Sequence, residues 1–250
     1  MNLALVGNHS LDELQKMALD NFSDIEDKNL SKPDYKHEDV FVRDHSFGRI
    51  FRVIPASHIK QISLVWKMPE SVSKWRSKSP QYLSHVFGHE GPNSLFSQLV
   101  KDGYATWLSA GSTEKLGQSF EQFAIDIGPT EKGEKEMQKL IKIVYMFINK
   151  IKAEGVQGYI YDELRYKSLI DFANLSKQDA LSAATSLARR IKFTQNEDDI
   201  RHILQKPFIF EALDQDDIMA RLNLMVPQNM YVISHSPAHK MEKEDQPEKF

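Results

Sequence analysis

Apolar positions along the chain switch between clustered or alternating spacing, which suits strands, and spacing of three or four, which suits helices. Residues 3–7 (LALVG) read as a short buried strand. Ser10 then caps an amphipathic helix carrying Leu11, Leu14, Met17 and Leu19. Residues 24–44 are polar and contain Pro33, which predicts a surface crossing. Residues 49–54 and 61–68 are strand candidates, stopped by Pro55 and Pro69. Ser79 as N-cap and Pro80 at the first helical position open a helix through Phe87. A second helix is expected with Pro92 in its first turn and Gly103 in the left-handed position after its last. Residues 104–112 and 119–127 have strand composition and flank the polar turn 113–118, which makes them an expected antiparallel pair.

From residue 130 to 152 the apolar positions Met137, Leu140, Ile141, Val144, Ile148 and Ile151 recur at helical spacing, and Gly155 ends the run. This helix is expected to cover one face of a sheet. A second long helical region, 159–193, is interrupted by polar residues at 174–178. Asp214 or Asp216 suits the N-cap of a helix through Leu224, and residues 229–234 offer a closing strand. The order predicts an α+β fold, a two-layer domain in which a largely antiparallel sheet is covered by long helices. Residues 1–236 read as one domain and residues 237–250 as a charged, disordered tail.

Composition narrows the function. The chain has 250 residues, of which 41% are hydrophobic, enough for a sizeable core. Its formal charge of -3 gives no basic footprint for nucleic acid. Without cysteine there is no disulfide framework, thiolate nucleophile or cysteine-ligated zinc. No apolar run approaches the roughly 20 residues of a bilayer span, and no signal peptide precedes the first strand candidate. The expectation is a soluble, cytoplasmic chain with no membrane partner.

The densest information lies in residues 85–103, where a helix, a glycine-bracketed acidic loop and a second helix follow one another. Gly88 and Gly91 are expected to bend the backbone around His89 and Glu90 in conformations closed to residues with a β-carbon. His85 and His89 are four apart, as in zinc-binding histidine pairs. Val86, Phe87 and Gly88 lie between them, so the glutamate base of such motifs is missing, and neither His-Glu-x-x-His nor its inverse occurs in the chain. Nucleophile elbow, P-loop and dinucleotide fingerprint are absent too. Glu90 suits two roles, pairing with a cationic ligand or capping the following helix. His85 could equally be a hydrogen-bonded structural histidine, and Leu108 ordinary core.

The run Gly88-His-Glu-Gly-Pro-Asn-Ser-Leu95, with Leu99, Gly103 and Leu108-Ser-Ala-Gly111, resembles the second domain of insulinase-like (pitrilysin family) zinc metallopeptidases. Residues 1–7, 10–14, 53–55, 82–83 and 152–155 resemble that domain in the same order, so the similarity spans nearly the whole chain. The resemblance implies a processing-peptidase-like (LuxS-like) α+β fold. It also implies a non-catalytic exosite that holds the N-terminal end of peptide substrates. Zinc and its ligands would then sit in the family's catalytic domain, with no cofactor in this chain, and the remaining domains of a parent peptidase would be its partners. By position the implied substrate-binding residues are His85, Gly88, Glu90, Leu108, Ser109 and Ala110. Ser109 and Ala110 stand where the resembled domains commonly have Val-Gly, so the β-carbon of Ala110 is expected to crowd a close-approaching backbone. The alternative is a stand-alone, non-catalytic peptide-binding or assembly protein derived from such a domain.

Overall fold

A computed structural model describes residues 2–31, 47–113, 120–192, 194, 197–239 and 248–249. The chain divides into two compact units, one of Met1–Asp34 with Arg165–Phe210 and one of Tyr35–Leu164 with Glu211–Phe250.

The second unit is built on a six-stranded sheet in the order β3-β4-β2-β5-β1-β6. Its strands are β1 (Arg49–Val53), β2 (Gln61–Pro69), β3 (Ala105–Thr113), β4 (Phe120–Pro129), β5 (Met230–His235) and the two-residue β6 (Glu248–Lys249). Neighbours run antiparallel except β1 and β5, which are parallel. Of the expected tail, residues 240–247 and 250 lie outside the described residues. The expected turn 113–118 lies outside them from residue 114 onward, and the 24–44 crossing from residue 32 onward.

The register aligns one set of alternating side chains. Ile62, Leu64 and Trp66 on β2 face Ile127, Ile125 and Phe123 on β4, while Leu64 and Trp66 also pair with Val232 and Met230 on β5. All of these are essentially inaccessible to solvent. Helices α2 (Ser79–Gly88), α3 (Leu95–Lys101), α5 (Met137–Glu154) and α9 (Gln215–Leu224) supply the other half of this core. Phe87 of α2 packs edge-on against Phe123 and Phe147, and Trp66 against Tyr145. Leu140, Ile141, Val144 and Ile148 form the buried stripe of α5, as their spacing predicts, and Gly155 with φ 73° ends it. The expected single helix from residue 130 is instead a short α4 (Glu131–Lys135) followed by α5, divided at Glu136 (φ -113°, ψ 36°).

A buried charge cluster ties this layer together. Arg221 on α9, 1% exposed, donates from Nε to Asp217 (2.9 Å) and from Nη1 to Glu121 on β4 (2.7 Å) and to the Pro69 carbonyl (3.2 Å). Ser71 donates to the other Glu121 oxygen at 2.6 Å, and Lys74 pairs with Asp217 at 3.1 Å. Burial pushes the Asp217 carboxyl up, but hydrogen bonds from Arg221, Ser79 and Lys74 and the Arg221 charge hold it below the ordinary carboxylate value. Because Ser79 is the first residue of α2, the cluster also fixes the start of that helix. Ser79 is therefore not the N-cap that its sequence position suggests. That place belongs to Lys78 in the left-handed region (φ 54°), with no side-chain cap.

The first unit holds α1 (Leu11–Phe22), the last part of α6 (Gly158–Ala173), α7 (Ala180–Lys192) and α8 (Glu197–Arg201). Ser10 caps α1 as expected, and with Glu13 it forms a capping box in which Ser10 N–H donates to Glu13 at 2.8 Å. The interruption predicted at 174–178 separates α6 from α7. Within this unit Phe172 packs on Phe208, and Ser168 donates to the Phe208 carbonyl at 2.8 Å. One expectation fails here. Residues 3–7 form no strand, and Leu3, Leu5 and Val6 are about 40% exposed. An apolar run becomes a strand only where a ladder partner takes its backbone groups, and no described strand does so.

Candidate functional site

The site is assembled where α2 ends, a loop turns, and α3 leads into the edge strand β3. Buried Tyr82, Leu83, Val86 and Phe87 fasten α2 to the sheet, and the Tyr82 hydroxyl accepts the Gln157 N–H at 2.9 Å. Leu95 and Leu99, fully buried, fasten α3. Gly103 takes the expected left-handed conformation (φ 74°), and Tyr104 N–H returns to the Leu99 carbonyl at 2.8 Å, turning the chain into β3. The loop between the helices is thus held at both ends by core packing.

Inside the loop the structure corrects the glycine argument. Neither Gly88 nor Gly91 has a positive φ; the left-handed residue is Asn93 (φ 64°). Asparagine tolerates that region because its short polar side chain can bond locally. A β-carbon on Gly88 would stand 3.7 Å from Ala110 N and 3.9 Å from its Cβ, ordinary contact. On Gly91 it would meet the far end of the His89 ring, a side chain that can turn aside. Pro92 lies in the turn before α3, outside its first helical turn. The N-cap is Ser94, whose hydroxyl accepts the Ser97 N–H at 3.1 Å. A serine before Leu95, preceded by a turn-forming Pro-Asn pair, was the available signal for it.

That cap leaves Glu90 without a structural task. Its side chain is exposed and has no hydrogen-bond or ion-pair partner among the described residues. It stands two residues beyond the C-terminal end of α2, where no described backbone N–H from outside the helix reaches the carbonyls of Val86, Phe87 or Gly88. Orphan carbonyls and the negative end of the helix dipole reinforce the carboxylate. His85, half-buried, lies with its ring centroid 5.7 Å from that of exposed His89. Among the described residues no three histidine, aspartate or glutamate side chains come together as a metal site. No helix among them is long and apolar enough to cross a membrane.

Among the described residues β3 is the outermost strand and is bonded on one side only, to β4. Residues 107–112 make no backbone hydrogen bond outside that ladder among the described residues. Gly88 at the end of α2 lies beside Ala110. Leu108 is buried in the helix-covered core, Ser109 is exposed on the opposite face, and Ala110 is half-buried. The structure therefore brings His85, Gly88, Glu90 and the 108–110 segment to one corner, with Leu108 supplying core and the others accessible surface. What it adds is chemical: a carboxylate without a partner among the described residues, of the charge that suits an ammonium group, near the outermost described strand.

Comparisons with known proteins agree on the kind of domain. Residues 1–166 match the family described as peptidase M16 inactive domain. Insulin-degrading enzyme from Drosophila melanogaster is 26% identical over 233 residues, covering 93% of this chain and 23% of that protein. The A-factor-processing enzyme of Saccharomyces cerevisiae is 32% identical over 190 residues, 76% of this chain and 18% of that one. The crystal structure of pitrilysin superposes with a TM-score of 0.87 at 25% identity, over 95% of this chain and 25% of that one. The chain spans about a quarter of the length of these relatives or less.

Proposed function

From the membership of this chain in the peptidase M16 inactive-domain family, we propose that it is the substrate-holding domain of an insulinase-like zinc metallopeptidase. It captures a peptide by its free amino end and does not itself cleave it. The observation that carries this reading is Glu90, exposed and without a partner among the described residues, in the loop that follows α2 near the outermost described strand. The peptide's α-ammonium pairs with Glu90 and with the carbonyls at the end of α2, and its backbone adds to β3 as a further strand. Main-chain bonds make such capture tolerant of sequence. They hold a distant bond at a defined place without reading it.

The hydrolytic zinc belongs to another domain. On this reading the part of this chain is to bind and orient the peptide. The larger size of the relatives supports further domains as its partners. Binding of a C-terminally labelled unstructured peptide tests the reading. N-terminal acetylation, which removes the cation, is expected to weaken binding about tenfold, and Glu90→Gln by a similar factor. The two changes together should cost little more than either alone. Equal affinity of the free and acetylated peptides for the native chain would overturn the proposal.

A further inference from the structure

The face of the sheet opposite the one that α2, α3, α5 and α9 cover carries a second carboxylate, one strand in from this edge. In register, Ser109 on β3 pairs with Asp126 on β4, which pairs with Ser63 on β2. Ser63 Oγ and Gln61 Nε2 both donate to one Asp126 oxygen, at 2.5 and 2.9 Å. Among the described residues the other oxygen, Oδ2, takes no hydrogen bond, and no lysine, arginine or histidine pairs with the group. Half-buried carboxylates are normally given a cation, so this one is held rigidly and left unbalanced. Between Asp126 and the edge the register places exposed Ser109, with Gly111 two residues along the same face. On the other flank stands Trp107, 40% exposed, whose indole lies over Gly128. A partly exposed indole on the same face, two residues along β3 from Ser109, is a second feature that favours a cation.

We propose that Asp126 selects a lysine or arginine side chain at the guest-strand residue lying alongside Ser109. The inference rests on the peptide-holding reading above and names the substrate class for that site. A strand added to β3 lies one strand spacing from it and two from β4, about 10 Å. A lysine or arginine stem crossing over the small Ser109 reaches toward Asp126 across that gap, whereas short side chains stop above β3. Residues of a strand alternate between faces, so the preference falls on one position and is absent from its immediate neighbours. An acidic residue at the same position meets Asp126 with like charge and is disfavoured.

The test uses the 250-residue chain and a set of free-amino peptides in which each of the first six positions is in turn lysine, alanine or glutamate. The expected result is one position at which lysine binds roughly fivefold more tightly than alanine and glutamate more weakly. Asp126→Asn keeps an acceptor for Ser63 and Gln61 and should erase that ratio while leaving binding of the all-alanine peptide unchanged. Ser109→Val, which fills the path without touching the carboxylate, should erase it as well. A lysine preference that is missing, spread over consecutive positions, or unchanged in Asp126→Asn overturns the inference. If the parent peptide fails to bind at all, or binds equally when acetylated, the peptide-holding reading falls and this inference falls with it.

Discussion

Two stretches of similar apolar composition meet opposite ends. The Ile62–Met68 part of β2 lies between two other strands with Ile62, Leu64 and Trp66 fully buried, whereas Leu3, Leu5 and Val6 form no strand and are about 40% exposed. The same contrast separates the helices of the two units. α5 buries four residues of its stripe, while α1 and α7, equally amphipathic in sequence, bury none. Hydrophobic pattern declares that a segment can be covered; burial depends on what stands opposite it. The sheet unit holds its own partners. The unit of residues 1–34 and 165–210 leaves large apolar side chains such as Leu11, Leu19, Leu30 and Leu181 in solvent.

The contrast breaks most visibly at Arg221. Arg221→Ala removes the only arginine of a cluster that holds Glu121 and Asp217 away from water, and leaves two carboxylates without their main cation. A loss of about 3 to 5 kcal/mol is expected, read as an unfolding midpoint in urea. A loss under about 1 kcal/mol would mean that the cluster is wetter than its burial indicates. Ile125→Ala, which opens a cavity between β4 and the helices, should cost about 2 to 5 kcal/mol.

Acid should act on the same unit. Burial raises the Glu134 carboxyl, but hydrogen bonds from Lys60 and Ser236 and the Lys60 charge bring it below its ordinary value, and Asp217 is lowered likewise. Both groups bind a proton less tightly in the folded chain than in the unfolded one. Their contribution is therefore complete above the unfolded carboxylate range of about pH 4 and is lost as pH falls through the lowered folded values. Urea midpoints followed from pH 7 to 3 should decline on the acid side, and Glu134→Gln should flatten part of that decline.

How far the sequence could be read follows the same division. Strand and helix runs with internal partners, including the β3–β4 pair and the buried stripe of α5, were legible because periodicity and burial agree there. The α6–α7 break was legible from its polar interruption, and an aspartate cap was legible too, though only the structure decides for Asp214 over Asp216. Strand order was not legible. The parallel pairing of β1 with β5 joins residues far apart in the chain, and no local signal encodes it. At the site, the loop and the edge-strand segment were recognisable, but the glycines misled: the strained position is Asn93 and the cap is Ser94. Asp126 and Trp107 escaped notice because their significance lies in cross-strand register, which emerges only when β3 and β4 are paired.

Local capping gives a smaller effect that sharpens the comparison at the site itself. Ser94→Ala removes the acceptor for the Ser97 N–H and should cost about 1 kcal/mol. Since α3 anchors one side of the Glu90 loop, peptide affinity should fall with it, and Asn93→Gly, which suits the left-handed backbone, should leave both unchanged or slightly improved.

The smallest effect is the most discriminating for the two units. Leu11 and Leu19 on α1 are 84% and 56% exposed, and the helix has its own capping box and no buried residue. Replacing both with glutamine should change the unfolding free energy by no more than about 0.5 kcal/mol, because nothing is removed from a packed environment. The same change lowers the apolar surface offered to other molecules and should reduce concentration-dependent association, measured by light scattering. A destabilisation above about 1 kcal/mol would show that these leucines are covered in solution, and the division between a self-sufficient unit and an exposed one would no longer hold.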